Sequence, residues 1–191
     1  MKANLYHQLK RESERLIVRP YLFNDFSLCK ASREARLDQQ NQFDSPVNIS
    51  NSWDKTQFKN KVIAHREKAK AKAQFIFGVF DKKEEFFLGQ VDLFTISLIL
   101  KWGNLGYNIH NQHWGKGYAK EASELCLKIA FEDLGFHRIE AAMDTENLAS
   151  EKVAQKLGLD FEGVRKKFLP DELQDMKVYA TNHGDFLSQP S

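Results

Sequence analysis

The hydrophobic period of the chain changes within YNIHNQHWGKGYAK, residues Tyr107–Lys120. Before the change, apolar residues alternate with polar or small ones, at Leu105, Tyr107 and Ile109. After it, apolar residues recur at helical spacing, at Tyr118, Ala122, Leu125, Cys126, Ile129 and Ala130. The two periods predict a β-strand that leads into an α-helix, with Gly115 and Gly117 at the junction.

This glycine pair is typical of an anion site at a helix N-terminus. Glycine lets an anion approach the backbone closely, and the first amides of a helix have no acceptor within the helix. A Rossmann fingerprint would need a third glycine where this chain has Lys120, although Glu140 suits the ribose acid. A Walker A loop would need Ser or Thr after Lys116. Neither motif fits, and a glycine-rich turn without a ligand remains the alternative.

The composition indicates one globular domain. The chain has 191 residues, 42% of them hydrophobic and 28% charged, which suits a single domain with a substantial core. A formal net charge of +2 gives little support for a nucleic-acid partner. Cys29 and Cys126 lie in helical apolar patterns, so we expect two reduced core thiols. With no signal peptide or membrane-spanning stretch in the sequence, the expected location is the cytoplasm.

The order of elements predicts the fold class. Strands are expected at residues 14–20, 74–80, 86–94, 105–109, 137–143, 161–169 and 176–181. Helices are expected to start near Asp25, Asp54, Tyr118 and Asn147, and the second should direct Phe58, Val62 and Ile63 inward. This is an α/β (α+β) fold: a central mixed, mostly antiparallel sheet of about six or seven strands flanked by about four helices.

Further motifs accompany the glycine loop along the chain. They are RLIVRP (15–20), LGY (105–107), GKGYA (115–119), RIE (138–140), NLAS (147–150), KLG (156–158) and FEG (161–163). In this combination the chain resembles the GNAT superfamily of acetyl-CoA-dependent N-acetyltransferases, and within it the RimJ/RimL type. The resemblance implies one GNAT-like domain over 15–183, with an N-terminal arm at 1–14 and a polar C-terminal tail at 184–191.

The resemblance also implies an acetyl-CoA site without a metal. The family pattern Gln/Arg-x-x-Gly-x-Gly/Ala matches Gln112–Gly117. Backbone amides would bind the pyrophosphate at Trp114, Gly115, Lys116, Gly117, Tyr118 and Ala119. The backbone of Ile109 and Asn111 would pair with the pantetheine arm as an added strand would. Asn147 would hydrogen-bond the same arm, and it equally suits a helix cap.

For catalysis, Ser150 matches the serine that RimJ/RimL-type enzymes place near the thioester sulfur. Its hydroxyl would donate to the departing thiolate, and the amide of Ile109 or its neighbour would polarise the thioester carbonyl. The general base is left open among His110, Glu140 and Asp92. Where some relatives carry an acid, this chain has Leu169, with Asp171 and Glu172 in the following turn.

The acceptor favoured by the resemblance is a protein or peptide N-terminus. Its α-amine has a reference pKa of about 7.7–8.0, against about 10.4 for lysine, so it needs only a weak base. Polyamines, amino sugars, aminoglycosides and free amino acids stay open, because a donor site does not determine the acceptor. A non-catalytic acyl-CoA sensor is the alternative from another class, and a nucleic-acid binder has the least support. The sequence leaves a homodimer open.

Overall fold

A mixed sheet of strand order β1-β2-β3-β4-β5-β6-β8-β7 forms the centre of the protein. The computed structural model describes residues 3–44, 54–83, 85–168 and 174–188. The strands are β1 (Arg11–Glu12), β2 (Leu16–Pro20), β3 (Gln74–Asp81), β4 (Phe87–Ser97), β5 (Trp102–Ile109), β6 (Arg138–Asp144), β7 (Asp160–Arg165) and β8 (Met176–Asn182). The helices are α1 (Phe26–Glu34), α2 (Lys55–Lys70), α3 (Tyr118–Lys128), α4 (Leu148–Lys156) and α5 (His183–Ser188).

Strand β3 is buried on both faces, as its continuous apolar run predicts. On one face Phe77 and Val79 join the larger core, which includes residues of α3 and α4. On the other face Ile76 and Phe80 join the smaller core, which includes residues of α1 and α2. The sheet therefore lies between two helical layers.

Strands β5 and β6 are parallel neighbours, whereas the other strand pairs of the described sheet are antiparallel. Their register runs from Trp102 opposite Arg138 to Asn104 opposite Glu140. Both strands continue past the last pair, β5 to Ile109 and β6 to Asp144. Their carboxyl-terminal halves consequently separate and open a gap in the sheet.

The predicted helix boundaries are confirmed at several residues. Asp54 caps α2: its carboxylate accepts from the Gln57 amide at 2.7 Å, and the Gln57 side chain accepts in return from the Asp54 amide. Gly135, after the π-helical turn Ile129–Asp133 that continues α3, and Gly158, after α4, both have φ of +70°. This is the left-handed conformation that ends helices at glycine.

The predicted fold class is confirmed, and some details differ. Within the described residues the sheet has eight strands, because Arg11 and Glu12 of the predicted arm pair with β2. Ile63 is 42% exposed, so its predicted inward orientation is wrong. The buried stripe of α2 instead follows Phe58, Val62, His65 and Ala69. Cys29 and Cys126 are buried free thiols, as predicted.

The chain after β8 is helical at residues 183–188, where the sequence predicts a polar tail. Phe186 is 8% exposed and packs against Phe131, with ring centres 5.4 Å apart. This aromatic contact joins the short polar segment to the larger core. Among the described residues, no helix has the length and apolar character needed to cross a bilayer.

Candidate active site

The glycine loop lies exposed at the N-terminus of α3. Gly115 and Gly117 have φ of +76° and +80°, which L side chains rarely adopt. A Cβ at Gly115 would meet no heavy atom within 4 Å, and one at Gly117 would lie 3.7 Å from Arg15 Nη2. The loop therefore offers open backbone donors at the positive end of a helix dipole, as an anion site requires.

Arg15, just before β2, ties this loop to the sheet. Its Nη1 donates to the Lys116 carbonyl at 3.1 Å and its Nε donates to Glu121 Oε2 at 2.9 Å. The Ser13 hydroxyl donates to the other oxygen of Glu121 at 2.5 Å. Glu121 lies in the first turn of α3, where its charge would repel a bound phosphate. The guanidinium of Arg15 offsets that charge.

Trp114 holds the loop against the end of β5. Its indole Nε1 donates to the Ile109 carbonyl at 2.6 Å, and its backbone amide donates to the Asn111 carbonyl at 3.2 Å. The His110 amide donates to the Leu88 carbonyl on β4 at 2.9 Å. Successive amides of a strand point to opposite edges, so the amide of Ile109 points away from β4 and toward the gap beside β6.

Asn111 and Gln112, which the resemblance places in the cofactor site, use their side chains for hydrogen bonds within the protein. Asn111 is 5% exposed, and its Nδ2 donates to Asp44 Oδ2 at 2.9 Å and to the Leu37 carbonyl at 2.8 Å. Gln112 Nε2 donates to the Ser32 carbonyl on α1 at 2.8 Å. These hydrogen bonds connect α1 and residues 37–44 to the segment after β5. They also satisfy polar groups that are buried there.

A buried ion pair completes this connection. Arg36 Nη2 donates to Asp44 Oδ1 at 2.5 Å, and the two side chains are 9% and 2% exposed. With Asn111 on Oδ2, both oxygens of the Asp44 carboxylate accept hydrogen bonds. This arrangement positions residues 36–44, and Gln42 and Phe43 of that segment line the gap between β5 and β6.

The gap between β5 and β6 forms a cleft of about 580 Å³. Its described lining is Gln42, Phe43, Asn104, Leu105, Gly106, Tyr107, Ala141, Ala142, Met143, Asp144, Glu146, Asn147, Ser150, Gln174 and Met176. β5 forms one wall and then leads into the glycine loop, while β6 and the start of α4 form the other. The cleft can therefore admit an extended molecule beside β5.

Two predicted site residues, Asn147 and Ser150, lie together in this cleft. Asn147 is the N-cap of α4, and its Oδ1 accepts from the Ser150 amide at 3.1 Å. That bond uses the side-chain oxygen, so the cap leaves the Nδ2 donor for another partner. Tyr107 from the opposite wall donates its hydroxyl to the Ser150 carbonyl at 2.8 Å.

The charged residues that line the cleft are acidic. Asp144 and Glu146 are at the end of β6, and no Lys, Arg or His side chain lines the cleft within the described ranges. Asp144 Oδ1 accepts from the Glu146 amide at 2.7 Å, and Glu146 Oε2 accepts from Gln42 Nε2 at 3.1 Å. Each carboxylate keeps a second oxygen, so this side of the cleft favours a cation.

Of the three candidate bases, Glu140 is engaged in ion pairs. It is 2% exposed, its Oε1 accepts from Arg138 at 2.9 Å and its Oε2 accepts from Arg165 at 2.7 Å. Both oxygens of this carboxylate are therefore engaged by guanidinium groups. Glu140 is consequently a structural element of the sheet.

His110 and Asp92 are placed differently. His110 Nδ1 lies 2.8 Å from Ser32 Oγ, and burial lowers the pKa of His110 to about 4, so the ring is neutral at pH 7. Burial raises the pKa of Asp92, although the Gln74 side-chain amide, 2.7 Å from Oδ2, opposes that rise. Asp92 Oδ1 lies 2.7 Å from the position a Cβ would take on Gly106, directly behind the cleft wall.

Some sequence-based candidates lie outside the described residues. They are Leu169 and, in the turn predicted after it, Asp171 and Glu172. Within the described ranges, no group of three or more His, Cys, Asp or Glu side chains could hold a metal ion.

Residues 15–160 match the family described as the acetyltransferase (GNAT) domain. The chain belongs to the GNAT acetyltransferase family. The match to the GNAT domain includes the main parts of the candidate site, namely the separated strands β5 and β6, the exposed glycine loop and the N-terminus of α4.

A curated GNAT relative is the probable N-acetyltransferase YjcK of Bacillus subtilis (strain 168), 33% identical over 110 residues, which are 57% of this chain and 61% of the relative. The chain spans about six tenths of the length of the curated relatives it matches first.

Two solved structures show the same fold. Mycobacterium smegmatis RimJ in complex with CoA-disulfide has a TM-score of 0.74 and 22% identity, over 91% of this chain and 84% of that chain. The spermidine N-acetyltransferase from Vibrio cholerae in complex with CoA and spermine has a TM-score of 0.68 and 20% identity, over 92% and 100%.

Several residues of the glycine loop and the cleft were not predicted from the sequence to belong to the site. Arg15, Glu121 and Tyr107 all lie within or beside the motifs, yet a motif does not identify the partner of a side chain. Asp144 and Glu146 directly precede Asn147, and their position at the end of a strand beside a helix cap was the available signal.

Proposed function

We propose that this protein is an N-acetyltransferase that transfers the acetyl group of acetyl-CoA to a primary amine by direct attack. The supporting observation is that one strand, β5, forms a wall of the cleft that holds Ser150 and then leads into the exposed glycine loop. The amine nitrogen would form a bond to the acetyl carbon, the carbon–sulfur bond would break, and CoA would leave as the thiol. Acetyl-CoA supplies the activated acetyl group.

The donor would lie along β5. The amides of residues 114–119 would bind the pyrophosphate, with Arg15 offsetting the charge of Glu121. The carbonyls of Ile109 and Asn111 accept from Trp114, so pairing with the pantetheine would use backbone amides. The Asn147 side-chain amide would donate to the same arm.

At the thioester, two groups have assigned roles. The amide of Ile109, directed toward the gap, would donate to the thioester oxygen as it gains charge. The hydroxyl of Ser150 would donate to the sulfur as the thiolate departs. No enzyme-bound acyl intermediate is needed, because Cys29 and Cys126 are buried thiols outside the cleft lining.

Asp92 or a water molecule would accept the proton that the amine loses. Asp92 lies behind Gly106, which lines the cleft, and its raised pKa suits a proton acceptor. His110 bonds Ser32 and lies outside the cleft lining. Asp92→Asn should lower kcat by about 10²-fold and remove the acidic limb of its pH profile. Retention of that limb in the variant would contradict the role.

The acceptor class has two candidates. The RimJ/RimL-type resemblance suggests a protein N-terminus. The carboxylates of Asp144 and Glu146 favour instead an amine with a second positive charge, such as a polyamine. Their exposure limits the expected preference for a diamine over its monoamine to about two- to tenfold in kcat/KM.

A thiol-release assay with acetyl-CoA tests both the acetyltransferase activity and the acceptor class. The acceptors would be putrescine, n-butylamine and short peptides with a free N-terminus and neutral side chains. Turnover with any of them supports the transferase, and CoA binding without turnover across the panel would indicate a sensor. Glu146→Gln should reduce the preference for putrescine over n-butylamine, whereas Glu162→Gln, outside the cleft lining, should preserve it. A higher kcat/KM for the neutral peptides would identify the N-terminus as the acceptor.

A further inference from the structure

Tyr107 connects the two walls of the cleft. Its hydroxyl, on β5, donates to the backbone carbonyl of Ser150 in the first turn of α4 at 2.8 Å. Backbone pairing between β5 and β6 ends at Asn104 and Glu140, so the contact lies past the last pair of the ladder. A side chain therefore links the walls where strand pairing no longer does.

Ser150 is held from two directions by this arrangement. Asn147 Oδ1 accepts its amide at 3.1 Å, while Tyr107 donates to its carbonyl. The Asn147 contact is local within the helix cap, but the Tyr107 contact spans 43 residues of sequence. Burial raises the pKa of Tyr107, so its phenol remains a donor throughout the working pH range.

We propose that Tyr107 is a positioning residue for acetyl transfer, which acts through Ser150 by holding the start of α4 at a set distance from β5. The inference rests on the proposed function. A hydroxyl that is aimed in advance at a developing charge needs no reorganisation during the reaction. Small displacements of such a group lower the rate strongly. Tyr107 thus maintains the geometry in which Ser150 faces the thioester.

The first test compares Tyr107→Phe with Tyr179→Phe. Tyr179 is a suitable control because its hydroxyl donates to Glu151, the next residue of α4, at 2.8 Å, and it lies outside the cleft lining. Loss of one oriented hydrogen bond should lower kcat about tenfold in Tyr107→Phe. The KM for acetyl-CoA should change less than about threefold, as for a contact that acts mainly in the transition state. Tyr179→Phe should keep kcat within about twofold.

A double-mutant cycle with Ser150→Ala separates positioning from a general structural effect. If Tyr107 acts through the Ser150 hydroxyl, Tyr107→Phe should change kcat less than about twofold in the Ser150→Ala background. An equal tenfold loss in both backgrounds would overturn the proposal, since the tyrosine would then act independently of Ser150.

Hydrogen exchange provides a readout that does not depend on activity. In Tyr107→Phe, the amides of residues 148–152 should exchange about fivefold faster or more, whereas those of α3 should be unchanged. Unchanged exchange at the start of α4 would refute the positioning role, whether or not the enzyme turns over. Failure of the wild type to release thiol with every amine would instead refute the proposed function.

Discussion

Replacement of Glu140 by glutamine tests whether this buried carboxylate is structural or catalytic. The side chain is 2% exposed and accepts from Arg138 at 2.9 Å and from Arg165 at 2.7 Å. Glutamine keeps the shape of the side chain and removes its charge. Two guanidinium groups would then lose their shared counter-charge on the surface of the sheet.

The expected loss of stability follows from burial. Removing one partner of a fully buried ion pair costs about 3–5 kcal/mol. The two arginine side chains are 24% and 33% exposed, so water compensates part of this cost. We expect a loss of about 3 kcal/mol in the free energy of unfolding, which for a chain of this size lowers Tm by about 6–12 °C.

Differential scanning calorimetry measures the Tm of Glu140→Gln, and an activity assay on the folded protein measures its kcat. Glu162→Gln is the matched control, because Glu162 pairs with the same Arg138 from the exposed side, at 43% exposure. It should cost no more than about 1 kcal/mol. In Glu140→Gln, kcat should stay within about twofold of wild type at a temperature where the variant is folded.

The opposite pattern would refute this reasoning. A Glu140→Gln variant with an unchanged Tm, a kcat lowered by about 10²-fold or more and no acidic limb in its pH profile would behave as an enzyme without its general base. Glu140 would then be catalytic, and its ion pairs would not explain its burial.

Other predictions concern the glycine loop and pH. Gly117→Ala forces a side chain into φ of +80° and should weaken acetyl-CoA binding about tenfold by calorimetry, with unchanged kcat at saturation. Arg15→Gln should raise the KM for acetyl-CoA about three- to tenfold. Arg11→Gln should not, because Arg11 pairs with Glu132 and Asp133 in the π-helical turn after α3. Burial lowers the pKa of His65 and His110 to about 4, below about 6.5 for the unfolded chain. The unfolded chain therefore binds protons first, and the free energy of unfolding should decrease by about 2–3 kcal/mol for each residue as the pH is lowered from about 6.5 to about 4. His65→Gln should make Tm less sensitive to pH in that window, and an unchanged slope would contradict the assignment.

Local sequence signals predicted the elements around the site accurately. The helix start at Asp54, the glycines that end the helices before β6 and β7, and the continuous apolar run of β3 each depend on neighbouring residues. Such signals act over a few positions, so they are readable without the fold. Ile63 shows the limit: which stripe of α2 is buried depends on the sheet beneath it.

The candidate bases could not be ranked from the sequence for the same reason. Glu140 is engaged because Arg165 reaches it from β7, and His110 because Ser32 reaches it from α1. Asp92 comes close to the cleft because Gly106, on the neighbouring strand, has no side chain. Each outcome depends on a partner that is remote in the chain.

The sequence by itself determined the glycine loop, the cap at Asn147 and the order of strands and helices, because these follow from local periodicity and backbone preference. Only the tertiary structure decided that β5 and β6 separate after Asn104, that Tyr107 meets Ser150 across the gap, and that carboxylates line its far side. Those contacts are set by strand register and helix docking, which join residues far apart in the chain.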